Sequence, residues 1–227
     1  MATTAIEDYL KHIFLLQEEV EGGALIPMGE LAESIGVVPG TATAMVKRLA
    51  ESGLLAYEPY GGVRLTSPGR DQAIAILRRH RLIETFLVRV LGLDWSEVHD
   101  EAEELEHAMS ELVLERIDAF LNYPTVDPHG DPIPSHEGTI GSCGQRTIMD
   151  CQQGERVRIA RVLDQGSSFL QFVDRCGLRP GAELTIQSVD PIAGAVSLII
   201  NSKIIEHTEP VILGHPAARK LIVEGVE

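Results

Sequence analysis

Residues 124 to 145 hold four prolines (124, 128, 132 and 134) and four glycines (130, 138, 141 and 144). No single helix or strand survives that density of backbone breakers, so the chain is divided there. Before the break, apolar residues recur at helical spacing over long stretches. After it they come in short β-rich runs, ERVRIARVL, AELTIQSVD, AVSLII and SKIIEHTEPVIL, separated by Gly, Pro and Asp. Four or five such strands predict a small barrel.

The first half has finer punctuation. Ile6, Leu10, Ile13, Phe14 and Leu16 fit one helix face over residues 5–19, with Glu21-Gly22-Gly23 as its end. A helix is expected from Met28 to Ile35, then a tight Gly36-Val37-Val38-Pro39 turn, then a helix from Thr41 to Ser52 closed by Gly53. Two extended runs, Leu54–Glu58 and Val63–Thr66, flank Pro59-Tyr60-Gly61-Gly62 and predict a hairpin. Helical patterning resumes at Ser67-Pro68-Gly69 and runs to about Leu91, then from Ser96 to about Asn122.

Helix, tight turn, helix and two-stranded wing, in that order, are the layout of a winged helix-turn-helix, whose second helix enters the major groove of DNA. The residues at its leading end are Pro39, Gly40, Thr41, Thr43 and Ala44; small and hydroxylic side chains permit close approach to base edges and thymine methyls. Lys47, Arg48 and the wing's Arg64 suit phosphate contacts, which set register rather than sequence choice. The plainer reading is a helix-turn-helix used only as scaffold, with Thr41 a mere helix start.

Charge sharpens the question. Thirty-four acidic against 19 basic side chains give a formal net charge of −15, which repels the polyanionic duplex at long range. A DNA-binding reading therefore needs a local basic surface, a symmetric dimer or a bound cation. No run of apolar residues is long enough for a membrane span, the N-terminus lacks the basic and apolar segments of a secretory signal, and three cysteines without CxxC spacing (Cys143, Cys151, Cys176) argue against a disulfide framework. The expectation is a cytoplasmic protein with no membrane partner.

The cation has candidate ligands. In VHDEAEELEHAM (98–109), Glu103, Glu106 and His107 stand at i, i+3 and i+4 on one helix face, and His99 lies one turn before Glu103. Upstream, His80 and Glu84 repeat the i, i+4 step, and the first helix supplies Asp8. A solvated acidic face explains Asp100, Glu101 and Glu104. It explains the two histidines less well, because like charges one turn apart destabilise a helix unless a cation sits between them.

The runs RRHRLIE (78–84), VHDEAEELEH (98–107) and DPHGDPIP (127–134) resemble the diphtheria-toxin-repressor family of metal-dependent transcriptional repressors over nearly the whole chain. The resemblance implies an α+β multidomain architecture: a winged helix-turn-helix DNA-binding domain (1–72), an all-α metal-binding and dimerisation domain (73–123), the Pro/Gly-rich linker (124–150) and an all-β SH3-like, FeoA-like domain (151–227). It implies a primary metal site at Asp8, Glu103, Glu106 and His107, and an ancillary site at His80, Glu84 and His99, with Asp164 or Gln165 of the SH3-like domain as candidates to complete it.

Iron-responding members of the family carry methionine and cysteine where this chain has Asp8 and Glu103. Replacing soft sulfur by hard carboxylate oxygen favours Mn²⁺, so the manganese-sensing branch is the better match, with Mn²⁺ expected as co-repressor and Fe²⁺ second. An acidic ligand of some members of that branch falls at Lys11 here, which argues against a two-ion cluster. The expected partners are a second copy of the chain and a palindromic operator with half-sites about one helical turn apart. Leu87, Val90, Leu91, Met109, Leu112 and Leu114 are candidates for the homodimer face or equally for core. Two rivals stand: a metallohydrolase built on the His/Glu cluster, which lacks any HExxH, GxSxG or P-loop in its support, and a DNA-binding protein whose metal is purely structural.

Overall fold

The computed structural model describes residues 2–19, 24–142, 144–201 and 210–226. The expected helix end at Glu21-Gly22-Gly23, Cys143, and residues 202–209 of the last β-rich run lie outside the described residues. The chain forms two compact units: residues 1–80 with 106–109 and 134–140, and residues 81–105 with 110–133 and 141–227.

In the first unit, α1 (Ala2–Glu19), α2 (Met28–Ile35) and α3 (Pro39–Glu51) precede a hairpin of β1 (Leu55–Glu58) and β2 (Gly62–Leu65). The turn between α2 and α3 follows from its residues. Gly36 takes the left-handed conformation (φ 73°) that ends α2; Val38 is extended, and Pro39 opens α3 where its missing N–H costs nothing. The hairpin pairs Leu55 with Leu65 through Glu58 with Gly62, and the Gln17 side chain accepts from the Leu65 N–H at 3.1 Å, tying the wing to α1. One core unites these elements: Leu10, Ile13 and Phe14 of α1, Leu31 of α2, Val46 and Leu49 of α3, Val63 of β2, and Ala73 and Leu77 of the helix that follows. That helix, α4 (Ser67–Phe86), begins against the hairpin: a Cβ at Gly69 would lie 2.0 Å from the Leu54 carbonyl oxygen, so only glycine fits.

In the second unit the long helix expected to reach Leu91 is α-helical only to Phe86. Leu87–Leu91 forms a π-helical turn, ended by left-handed Gly92. The expected helical stretch after Ser96 resolves into α5 (Val98–Glu106) and α6 (Glu111–Phe120), with the Ser110 hydroxyl capping α6 by accepting from the Val113 N–H. Strands β3 (Arg156–Val162), β4 (Glu183–Asp190), β5 (Ala195–Ile200), β6 (Val211–Gly214) and β7 (Leu221–Gly225) form one antiparallel sheet in the order β6-β5-β4-β3-β7. Bulges at Ile159/Arg161 and Ile186/Ser188 bend it around its own core. Helix α7 (Ser167–Arg175) covers that core with Leu170 and Val173, and the short α8 (His215–Ala218) joins β6 to β7. Among the described residues no helix is long and apolar enough to cross a membrane.

Candidate metal centres and nucleic-acid interface

The leading end of α3 is open. Pro39, Gly40, Thr41, Ala44, Lys47 and Arg48 are exposed, as is Arg64 on the wing. Thr43 is half-buried, and its hydroxyl donates to the Pro39 carbonyl oxygen at 2.8 Å, which fixes its side chain against the first turn. Tyr60, at the hairpin tip with φ 65°, stands wholly in solvent.

Within the first unit, α1 meets the end of α5. Asp8, Glu106 and His107 each offer a ligand atom within 4.8 Å of one another. His107 Nε2 lies 3.0 Å from Asp8 Oδ1 and 3.6 Å from Glu106 Oε1, while its Nδ1 lies 2.8 Å from Glu7 Oε2. With Nδ1 donating to Glu7, Nε2 would be free to ligate an ion held together with the two carboxylates. A carboxylate on the far ring nitrogen is the partner that orients a metal-ligating histidine. Glu7 was not anticipated; its place one residue before Asp8 was the available hint.

Glu106 is fully buried at this junction. Its Oε1 accepts from the Lys11 ammonium and its Oε2 meets His80 Nδ1, both at 2.7 Å. Burial pushes the carboxyl up, but the hydrogen bond and charge of His80, then those of Lys11, outweigh it and hold Glu106 below the usual carboxylate range. Glu103 lies one turn before Glu106 on α5, half-buried, with Oε1 3.5 Å from His99 Nε2. His99 Nδ1 in turn sits 3.3 Å from Glu84 Oε1.

The second unit holds a cluster that the sequence reading did not assign. Glu84, Asp127 and His129, all buried, bring ligand atoms within 4.8 Å of one another. The Pro/Gly stretch positions two of them in a tight turn: Asp127 Oδ1 accepts the N–H groups of His129 and Asp131 at 2.8 and 2.9 Å. Gly130 (φ 88°) lets that turn lie against β3, since a Cβ there would meet the Ala160 carbonyl oxygen at 2.0 Å. His129 Nε2 donates to the Trp95 carbonyl oxygen at 2.8 Å and its ring stacks on Trp95. This leaves Nδ1 facing Glu84 Oε2 at 3.7 Å. Both His129 Nδ1 and Asp127 Oδ2 are buried without a hydrogen bond. Arg81 Nε lies 3.7 Å from Asp127 Oδ2 without a hydrogen bond. Buried polar atoms without hydrogen bonds are rare and call for a partner, and the Glu84, Asp127 and His129 set, with ligand atoms within 4.8 Å of one another, fits a divalent cation.

The charges agree with an incomplete site. Burial, then Asp131 and Glu84, push the Asp127 carboxyl up to about 7. Burial pulls the His129 imidazole down, but Glu84, Asp127 and the Trp95 carbonyl together drive it up to about 9. A proton on that ring stands where a metal ion would. Around the cluster, Arg81 and Arg161 reach Asp131 at 3.3 and 2.5 Å. Of the SH3-like candidates, Gln165 donates to Asp131 at 2.6 Å, and Asp164 is ion-paired with Lys220 at 2.6 Å. The dimer candidates separate: Leu87 and Leu114 are core, whereas Val90, Leu91 and Leu112 are 40%, 58% and 63% exposed.

A winged helix-turn-helix in a chain with two acidic-imidazole clusters defines a metal-dependent DNA-binding regulator. Family comparison gives the same answer in three consecutive matches: the iron-dependent repressor N-terminal DNA-binding domain over residues 1–63, its metal-binding and dimerisation domain over 66–135, and the FeoA domain over 146–225. The iron-dependent repressor IdeR of Mycobacterium leprae is 32% identical over 97% of this chain and 96% of its own length. The diphtheria toxin repressor of Corynebacterium diphtheriae is 32% identical over 88% of this chain and 90% of its own. Among solved structures, a manganese-dependent transcriptional repressor in complex with manganese is 40% identical over 97% of this chain and 100% of that one, with a TM-score of 0.86. The manganese regulator SloR is 32% identical over 97% and 98%, with a TM-score of 0.75. The chain belongs to the diphtheria toxin repressor and IdeR family of metal-dependent, DNA-binding transcriptional repressors, with an FeoA-type C-terminal domain.

Proposed function

We propose that the chain is a Mn²⁺-responsive repressor, with Fe²⁺ the second choice, that binds a palindromic operator as a homodimer. The observation that carries the metal assignment is the donor set itself. Asp8, Glu106 and His107, with Glu103 one helical turn away on α5, offer carboxylate oxygen and imidazole nitrogen and no sulfur, the combination suited to Mn²⁺. Glu84, Asp127 and His129 repeat that chemistry and form our choice for a second ion, beside the His80, Glu84 and His99 set implied by sequence. A bound divalent ion would supply positive charge where these carboxylates converge.

The chain's own residues do the rest. Asp8 belongs to α1, and α1 packs in the same core as the DNA-facing α3. Drawing Asp8 toward Glu106 and His107 therefore fixes the helix on which the reading head rests, selecting one member of an existing ensemble. The exposed apolar residues Val90, Leu91 and Leu112 suit the face between two copies. A site on the repressor's helices with no catalytic motif beside it disfavours the hydrolase.

The test is operator binding by fluorescence anisotropy, titrated with Mn²⁺, Fe²⁺ and Zn²⁺ under anaerobic conditions. The reading expects Mn²⁺ to drive binding at the lowest free concentration, and Asp8→Ala to abolish the dependence while leaving fold and dimer intact. Operator affinity that stays flat as free Mn²⁺ varies would overturn it in favour of a structural metal.

A further inference from the structure

We propose that Lys11 is an internal counter-cation that competes with the metal ion for Glu106 and so sets the metal concentration at which the protein responds. The proposal rests on the assignment of Asp8, Glu106 and His107 as metal ligands. Lysine is almost never buried unless paired, yet Lys11 is only 3% exposed, and its ammonium lies 2.7 Å from Glu106 Oε1 in the interior of the first unit. On α1 it stands three residues after Asp8, on the same helix face. Two neighbours on α1, Asp8 and Lys11, thus meet two consecutive residues at the end of α5, Glu106 and His107. With His80 on its other oxygen, Glu106 is already held at both oxygen atoms by the protein's own groups.

Two consequences follow from this arrangement. In the metal-free chain, Lys11 compensates the buried Glu106 charge, which would be costly left unpaired. A divalent ion entering beside Asp8 and His107 then meets a fixed positive charge on a shared ligand, and close like charges in a partly desolvated site repel strongly. Binding requires Glu106 to leave Lys11 or Lys11 to move aside. The ammonium thereby raises the threshold and reserves the cluster for a single ion.

The experiment measures Mn²⁺ binding by the full chain, counting free Mn²⁺ from its electron paramagnetic resonance signal, with no DNA present. Four variants are compared with the unmodified protein. Asp8→Ala identifies which class of bound Mn²⁺ belongs to this cluster; if it removes none, the metal assignment itself fails. Lys11→Arg keeps the charge and should bind that class with unchanged affinity. Lys11→Gln and Lys11→Met remove the charge and should tighten it by about tenfold or more. Thermal melting with and without saturating Mn²⁺ covers the case of a weakened fold. A neutral variant that melts lower without metal and recovers fully with it reports the same competition. Equal Mn²⁺ affinity for Lys11→Gln and Lys11→Arg, or an equal loss of melting temperature with and without Mn²⁺, would leave Lys11 a packing role and overturn the proposal.

Discussion

The two acidic-imidazole clusters share a chemistry and differ in how they hold their charge. Around Glu106 the protein supplies its own partners: the Lys11 ammonium and the His80 imidazole take both carboxylate oxygens. Around Glu84, Asp127 and His129, the buried His129 Nδ1 and Asp127 Oδ2 make no hydrogen bond. At the first cluster both oxygens of the buried carboxylate are therefore compensated by side chains. At the second, the Arg81 guanidinium, with Nε 3.7 Å from Asp127 Oδ2, and the raised imidazole of His129 supply the positive charge. The same ligand types are therefore set against different buried charges in the two clusters.

The largest effect that would sharpen the contrast is on metal-free stability. Asp127→Ala strips the acceptor from the His129 and Asp131 N–H groups inside the second unit and should cost about 2–4 kcal/mol by urea unfolding. Asp8→Ala should cost less than about 1 kcal/mol, because its side chain is partly exposed and its pair with His107 is partly screened by solvent. Equal losses at the two positions would erase the distinction.

The pH profiles should run in opposite directions. Glu106 is held below its ordinary value of 4.5; its contribution is present above that value and is lost as pH falls through the lowered one. His129 is raised from 6.5 to about 9; its contribution is complete below 6.5 and disappears as pH climbs through about 9. Metal-free protein should therefore lose stability on the alkaline side, and His129→Gln should flatten that limb alone. Mn²⁺, which competes with the ring proton, should restore the alkaline limb. A profile unchanged by His129→Gln between pH 6.5 and 9 would contradict the raised imidazole.

Smaller effects test the first cluster and the DNA face. Glu7→Gln removes the carboxylate partner of His107 Nδ1 and should weaken Mn²⁺ binding by about 10-fold, within the range for outer-sphere partners. Lys47→Ala should lower operator affinity evenly across sequences and reduce the slope of log affinity against log salt by about one.

How far this contrast was legible in sequence depends on the signal each part carries. Gly36, Pro39 and Gly53 punctuate the helix-turn-helix, so α2, α3 and the hairpin came out with bounds within two residues. Asp8, Glu106 and His107 were singled out because i, i+3, i+4 spacing sets Glu106 and His107 on the helix face of Glu103 and a family pattern points to Asp8. The π-turn at Leu87–Leu91 left no trace, since five residues cannot separate its period from that of an α-helix. Strand β7 and α7 were too short and too mixed to stand out among β-rich runs. Asp127 and His129 were read only as part of a motif in a Pro/Gly-rich linker. Their burial comes from Gly130 lying on β3 and Trp95 stacking on the ring, contacts made far along the chain.

Anomalous diffraction at the manganese edge, from crystals of the full chain grown with Mn²⁺, tests the central assignment most directly. The account predicts a peak bonded by Asp8, Glu106 and His107, with Lys11 displaced from Glu106. Density only elsewhere, with Asp8 turned to solvent and the Lys11–Glu106 pair intact, would contradict it.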